Sequence, residues 1–474
     1  MKVRTRFAPS PTGFMHLGGL RTALYAYLYA KHNGGDFILR IEDTDQGRYV
    51  EGATELIYSS LKESGMIYDE GPDVGGNFGP YIQSERKNIY LEYANKLIEL
   101  GGAYYCFCSK ERLESLTDKN GNRKYDKHCL KLSKEEIESR IKAGEPYVIR
   151  QNIPTNGKSS YDDLIYGTIE VDYDELEDNI LIKSDGMPTY NFANVIDDHL
   201  MGITHVIRGT EYLSSTPKYN LMYDAFGWER PVYIHLPPIM KDATRKLSKR
   251  YGDANFDDFV KKGYVEEAII NYVALLGWCP KNNLEKMDMQ QMIENFDLTG
   301  ISKSQSIFDE VKCKWLNGEY LKAMDDEEFT KRAVEFMSED LKKFDAYKLC
   351  KLIKSRIEIL SDIPSKLDFL VNYVAPSSEL YENAKQKSTA LLAKQLIPLI
   401  IDKIPAIENF KNDDIFSTMS EIATEQEIKT KTLFYVMRIA LTGLEVTPGG
   451  ATEIAEILGK DECVNRLKTA LLSL

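Results

Sequence analysis

The first 45 residues constrain the fold more than any other stretch of this chain. Val3–Phe7 alternates in polarity and is rich in β-prone residues, which predicts a strand. Ala8–Gly13 holds Pro9, Ser10, Pro11, Thr12 and Gly13 and predicts a loop. Leu20, Ala23, Leu24, Tyr27 and Leu28 then recur at helical spacing, and Gly34-Gly35 stops that helix. Phe37–Ile41 is a second apolar run, closing on Glu42-Asp43-Thr44-Asp45. Strand, helix and strand in this order make a βαβ unit, the start of a parallel nucleotide-binding sheet whose ligands gather at the C-terminal ends of its strands.

The rest of the chain is organised around that start. Helices are expected over Gly52–Ser64 and Ile89–Leu100. From Ala103 the texture changes: Cys106 to Tyr173 mixes turns, charges and short strands. Ile180–Ile182 and Ile203–Ile207 read as strands again, followed by a helix near Lys218–Ala225. From Asp325 the pattern is helical, with Leu349, Leu352, Ile353 and Ile357 on one face and Val464, Leu467, Ala470 and Leu471 on another. The fold class expected is multidomain α/β: a Rossmann-type parallel-sheet catalytic domain with an inserted α+β domain, followed by all-helical C-terminal domains. A length of 474 residues accommodates this.

Hydrophobic residues at 43% and charged residues at 28% exclude general disorder. Met1-Lys2-Val3-Arg4 followed by Pro9 and Pro11 lacks the apolar core of a signal peptide, and no run approaches the roughly 18 apolar residues that span a bilayer. Seven cysteines, four of them scattered singly, suit a reducing cytoplasm. The net charge of -13 weighs against a nucleic-acid partner, unless lysines and arginines are concentrated locally.

Two motifs carry chemistry. His16-Leu17-Gly18-Gly19 opens the first helix, where free backbone N–H groups and the helix dipole favour an anion, glycines permit close approach, and His16 can donate to a phosphate oxygen. About 230 residues later comes Lys246-Leu247-Ser248-Lys249-Arg250, a crowd of cations suited to stabilising a phosphate chain whose charge grows during transfer. Alone, the first is equally a strand-to-helix turn and the second a solvated basic loop. As an ordered pair they resemble the HIGH and KMSKS motifs of class I aminoacyl-tRNA synthetases, in the HLGG and KLSKR forms typical of bacterial-type glutamyl-tRNA synthetases.

Phe7–Gly13, Arg40–Asp45, Gly186-Met187-Pro188-Thr189-Tyr190, His205–Gly209 with Glu211, and Phe308-Asp309 with Lys314–Gly318 are similar to that family as well. The resemblance implies His16 and Lys249 as the catalytic pair. It implies an ATP site of Pro9, His16, Gly18, Gly19, Glu211, Lys246, Leu247, Ser248, Lys249 and Arg250. It also implies a glutamate site of Arg6, Ser10, Glu42, Tyr190, Asn194 and Arg208. The two arginines suit the γ-carboxylate because a guanidinium fork binds a carboxylate bidentately. The other four match positions around the α-amino end.

ATP with Mg²⁺ on its phosphates, L-glutamate and tRNA(Glu) are the implied reactants of a cytoplasmic monomer that engages no membrane. The implied domains are a catalytic domain split between 1–102 and 186–238, an acceptor-end insert at 103–185, a stem-contact domain at 239–324 and an anticodon-binding region at 325–474. Some relatives bind structural zinc in the insert, with a fourth ligand two residues past the third cysteine. Here Lys131 stands at that place, so Cys106, Cys108 and Cys129 would need Tyr125 or His128, and no metal is assigned. Whether tRNA(Gln) is also charged is open. The rival readings are a tail-less glutamylating relative, a glutaminyl enzyme, a small-molecule nucleotidyltransferase and a non-catalytic RNA binder. The helical tail, the HLGG ending, the glutamate set, and intact His16 with Lys249 count against them in turn.

Overall fold

The structure, a computed structural model, describes residues 2–13, 15–116, 124–247 and 255–474. The chain forms two compact units, Met1–Phe259 with Ile269–Asp309, and Val260–Ala268 with Glu310–Leu474.

The first unit begins with the expected βαβ. Strand β1 (Arg4–Phe7) pairs in parallel with β2 (Asp36–Leu39), Arg4 opposite Asp36 and Phe7 opposite Leu39. Helix α1 (Leu17–His32) is the crossover and buries Leu20, Ala23, Leu24, Tyr27 and Leu28. Gly34 closes it at φ +62, and a Cβ on Gly35 would lie 2.2 Å from the Val3 carbonyl oxygen, so only glycine lets the chain turn back so close to β1. Helices α2 (Ala53–Glu63) and α3 (Lys87–Glu99) follow.

Next comes an antiparallel sheet of β3 (Ala103–Cys106), β4 (Val148–Gln151) and β7 (Ile180–Ile182), with the short helices α4 (Lys110–Ser115) and α5 (Lys134–Lys142) between β3 and β4. Strands β5 (Lys158–Asp163) and β6 (Gly167–Asp172) form a hairpin. Beyond β7 run α6 (Tyr190–Leu200), β8 (His205–Gly209), α7 (Thr216–Phe226) and β9 (Val232–Leu236). β8 and β9 pair in parallel along their length. β8 lies beside β1, joined where the Thr204 N–H donates to the Arg4 carbonyl (3.0 Å) and the Arg4 N–H to Thr204 Oγ1 (2.8 Å).

The hairpin of β5 and β6 falls inside the stretch that the sequence assigns to the insert, yet it extends the sheet of β8 and β9, with Asp163 opposite Tyr233. Its inward residues are Ser159, Tyr161 and Asp163, a mostly polar set that hides the alternation. Tyr161 meets Tyr233 edge-on, with ring centres 5.6 Å apart, which anchors the hairpin to β9.

The second unit, Glu310–Leu474 with the segment 260–268, is helical. Leu349, Leu352, Ile353, Ile357, Leu467 and Ala470 are buried in one core with Leu396, Ile400, Val436 and Ile439. Arg466 is buried among them. It donates to the carbonyls of Phe369, Leu370 and Leu441 at 2.7–3.0 Å and pairs with Glu462, so its charge closes helix ends that would otherwise lack donors. No helix among the described residues is long and apolar enough to cross a membrane.

Candidate active site

The loop after β1, the residues after β2 and the start of α6 enclose a cavity of about 580 Å³. Its wall includes Ser10, Thr12, Glu42, Thr44, Lys183, Tyr190 and Tyr212. The site therefore forms at the C-terminal ends of β1 and β2, where such sheets hold ligands. Three of the six expected glutamate residues, Ser10, Glu42 and Tyr190, line it directly. Asn194 lies one turn along α6 and donates from Nδ2 to the Tyr190 carbonyl (2.6 Å), so it braces the helix start. Arg6 and Arg208 are buried, each 4% exposed, and neither is part of the wall.

The two arginines differ in one decisive respect. Arg6 grips Asp198 with Nε and Nη2 (3.1 and 3.2 Å), so its charge is already matched. Arg208 donates from Nη2 to Thr216 Oγ1 (2.7 Å) and from Nε to His235 Nε2 (3.1 Å), and both acceptors are neutral. Its guanidinium lies over the rings of Tyr212, Tyr219 and Tyr233 at 4.9–5.5 Å. Among the described residues it has no carboxylate partner. A buried cation matched only by neutral acceptors and π-faces is costly to hold, and the cost falls when an anion arrives.

Glu42 shows the opposite imbalance. Its backbone N–H donates to the Pro9 carbonyl (3.0 Å), which sets the side chain beside the Pro9–Gly13 loop. Arg40 Nη2 reaches its carboxylate at 3.1 Å. Burial nevertheless dominates and pushes the carboxyl up from 4.5 to about 7, with Arg40 and Arg6 restraining the rise. Asp198 is equally buried, and burial alone would raise it, but Arg6 and Arg40 outweigh that and hold it below its ordinary range. Burial also pushes the Tyr190 hydroxyl far up, so it is a hydrogen-bond donor at any working pH.

The expected ATP residues divide between described and undescribed segments. His16 caps α1: the Gly18 N–H donates to its Nδ1 (2.9 Å), leaving Nε2 to donate to the Leu247 carbonyl (2.9 Å). HLGG and the start of KLSKR, distant in sequence, thus meet through one imidazole. A Cβ on Gly18 would press His16 Nδ1 at 3.2 Å, whereas a Cβ on Gly19 would meet nothing within 4 Å. A helix N-terminus of this kind attracts a phosphate chain. Lys246 is exposed, Leu247 is buried, and Glu211 is exposed on the turn after β8. Ser248, Lys249 and Arg250 lie outside the described residues.

Sequence reading missed Asp198, Lys183, Tyr212 and the pair Asp163–His235. A signal existed for the first: Asp197-Asp198 is an acidic doublet directly after the mostly apolar run Phe192–Ile196, and both carboxylates are buried against arginines. In the insert, Cys106, Cys108 and Cys129 hold their sulfurs within 4.8 Å of one another. Tyr125 Oη lies 3.3 Å from Cys106 Sγ and 3.4 Å from Cys108 Sγ, which makes Tyr125 the fourth oxygen or sulfur donor at the cluster. Hydrogen bonding from Cys129 pulls the Cys106 thiol down to about 4, and Arg150 Nε donates to it at 3.3 Å. Three cysteine sulfurs and a phenol oxygen offer four donors, the number that a structural zinc site uses.

Residues 2–315 match the family of class I tRNA synthetases (E and Q), catalytic domain, and residues 328–471 match the anticodon binding domain. The chain is 54% identical to a glutamate–tRNA ligase of Clostridium botulinum, covering 99% of this chain and 98% of that one. It is 55% identical to one of Clostridium kluyveri, covering 100% and 98%. The crystal structure of a glutamate tRNA ligase from Elizabethkingia meningosepticum in complex with its amino acid superimposes with a TM-score of 0.89 at 35% identity over 100% of both chains. With a family match over most of its length and relatives that it spans end to end, the chain belongs to the class I tRNA synthetases of the E and Q family.

Proposed function

We propose that this chain attaches L-glutamate to the terminal adenosine of tRNA(Glu) in two steps driven by ATP. The observation that carries the choice of amino acid is Arg208, a buried cation beside the cavity that pairs directly with no carboxylate among the described residues. A side-chain carboxylate is the ligand that this charge lacks. Glu42, Tyr190 and Ser10 take the α-amino end: an ammonium entering beside Glu42 restores its ionised form. Arg6, matched by Asp198, orients the floor and contributes less net attraction than Arg208.

In the first step the glutamate α-carboxylate attacks the α-phosphorus of ATP, the bond to the bridging oxygen breaks, and pyrophosphate leaves; Mg²⁺ accompanying the nucleotide would offset the charge of the phosphates. Charge grows on the phosphates in that transition state. The α1 N-terminus and His16 lie where they stabilise it once His16 Nε2 exchanges the Leu247 carbonyl for a phosphate oxygen. Lys249 adds a cation by the family resemblance. In the second step the terminal adenosine hydroxyl attacks the carbonyl carbon of the mixed anhydride and AMP leaves. No protein nucleophile is needed, because positioning and charge stabilisation supply the rate.

The segment 103–185 is assigned to the acceptor end, 239–324 to the stem and 325–474 to the anticodon. Cys106, Cys108, Cys129 and Tyr125 are assigned to a structural zinc ion that ties β3 to the following loop and takes no part in the reaction. The chain is taken to work as a cytoplasmic monomer. The test is glutamate-dependent pyrophosphate exchange with and without tRNA, followed by charging of purified tRNA species. A rate indifferent to both glutamate and tRNA overturns the reading. Charging of tRNA(Gln) alongside tRNA(Glu) would widen the substrate range without altering the chemistry.

A further inference from the structure

We infer that Asp163 and His235, neither of which lines the cavity, act together as the device that aims Arg208 at the substrate carboxylate. The inference rests on the assignment of Arg208 to glutamate. Three elements supply the parts: β5 carries Asp163, β8 carries Arg208 and β9 carries His235. All three side chains are buried, at 2%, 4% and 0% exposure.

The hydrogen-bond directions are forced. A guanidinium has donors only, so Arg208 Nε–H must donate to His235 Nε2, 3.1 Å away. That nitrogen then carries a lone pair, and the imidazole proton sits on Nδ1. Nδ1–H donates to Asp163 Oδ2 at 2.7 Å. Asp163 is itself fixed by three backbone donors: the His235 N–H on Oδ2 (3.0 Å), and the Ile165 and Tyr166 N–H groups on Oδ1 (2.9 Å each). The carboxylate is therefore a rigid anchor, and it holds the tautomer that leaves Nε2 open to Arg208. Thr216 completes the clamp. Its hydroxyl donates to the Tyr212 carbonyl (2.9 Å), so it can only accept from Arg208 Nη2.

Two of the three guanidinium nitrogens are thus spoken for by neutral acceptors. Nη1 alone has no hydrogen-bond partner among the described residues. A direct ion pair with Asp163 would have quenched the charge of Arg208. Placing a neutral imidazole between them fixes the geometry and keeps the charge available. The groups facing His235 are Asp163 from β5, Arg208 from β8, Thr216 from α7 and Tyr233 on its own strand, with Glu211 contributing at longer range. Burial, followed by Arg208, outweighs Asp163 and Glu211 and keeps the imidazole below its ordinary value, which agrees with a neutral relay.

The experiment measures aminoacylation at varied glutamate and, separately, varied ATP, for Asp163→Asn, His235→Phe and His235→Gln. Asp163→Asn is isosteric but sets an amide against the Nδ1 proton, favouring the tautomer that turns an N–H toward Arg208. His235→Phe removes the acceptor, and His235→Gln can restore a carbonyl oxygen near the Nε2 position. The first two are expected to raise KM for glutamate by about tenfold to a hundredfold, the scale of one charge-assisted hydrogen bond, with KM for ATP nearly unchanged. His235→Gln should recover most of that loss.

A double variant separates aiming from general damage. In an Arg208→Ala background, His235→Phe should cost nothing further in glutamate kcat/KM, because the residue that it aims is gone. Equal losses with glutamate and ATP, no rescue by glutamine, or additive losses in the double variant would overturn the inference. If Arg208→Ala itself leaves glutamate kinetics unaltered, it is the assignment of Arg208 that fails. If Arg208→Ala is damaging while Asp163→Asn and His235→Phe are silent, the assignment stands and the relay does not.

Discussion

Glu42→Gln should make the protein more stable and less able to use glutamate, and the gain in stability should depend on pH. Burial lifts the Glu42 carboxyl from its ordinary 4.5 to about 7. A raised acid favours the protonated folded state, so full stability is present below 4.5 and is lost as pH rises through 7. Well above 7 the ionised carboxylate costs the folded protein about 3 kcal/mol. Glutamine has no charge to bury, so the variant escapes that cost. The difference between variant and parent should be under about 1 kcal/mol at pH 5 and reach about 3 kcal/mol at pH 8.5. At about 2 °C per kcal/mol for a unit of this size, the Tm gap should widen to several degrees across that range. Melting curves of the full chain at pH 5 and pH 8.5, with and without glutamate, measure it. Glutamate should raise the Tm of the parent at pH 8.5 and leave the variant unmoved, since the ammonium has lost its carboxylate. A Tm gap that is the same at both pH values would refute the account of Glu42.

Three other outcomes are expected. Arg208→Ala should lower kcat/KM for glutamate by two to three orders of magnitude, on the order of 3–4 kcal/mol, with KM for ATP held; unaltered glutamate kinetics would remove Arg208 from the site. Lys249→Ala should cut turnover by orders of magnitude, roughly the scale of losing one preorganised charge donor, and leave tRNA affinity nearly unchanged. A parallel fall in tRNA binding would make that segment an RNA clamp instead. Elemental analysis of the purified protein should find about one zinc per chain, and Cys129→Ser should remove it and lower Tm, whereas metal-free parent protein would exclude the zinc assignment.

The βαβ start was legible because each of its pieces obeys a local rule. Helical spacing marks α1, paired glycines mark its end, and the second strand is a simple apolar run. The site was half legible for a related reason. Ser10, Glu42 and Tyr190 lie in or beside segments whose local chemistry stands out, and the structure puts all three on one cavity wall. The hairpin of β5 and β6 was not legible, because Ser159 and Asp163 face inward where a pattern reader expects apolar residues. What made those positions inward is long-range: Tyr161 against Tyr233, and Asp163 against His235, 72 residues away. Local periodicity carries no trace of such partners. The partner of Asp198 was hidden likewise: the acidic doublet marks the residue, but nothing near it in sequence announces Arg6, 192 residues before it.

Arg6 and Arg208 show why residue type alone under-determines a binding site. Both are arginines near strand ends, on the adjacent strands β1 and β8, and sequence assigns them one task. In the folded protein Arg6 is a settled ion pair with Asp198, and Asp198 also takes Arg40 at 2.8 Å. Removing Arg6 would leave a buried carboxylate short of a partner, a penalty borne by the fold. Removing Arg208 would leave only a hydroxyl and an imidazole unoccupied, a smaller structural loss, but the one buried positive charge beside the cavity without a carboxylate among the described residues would be gone. On the proposed assignment of Arg208, selectivity for an acid would follow from an imbalance that the fold maintains. The protein holds Arg208 in place with neutral acceptors and aromatic faces and pairs it directly with no carboxylate among the described residues, which on the proposed assignment leaves its counter-charge to the ligand.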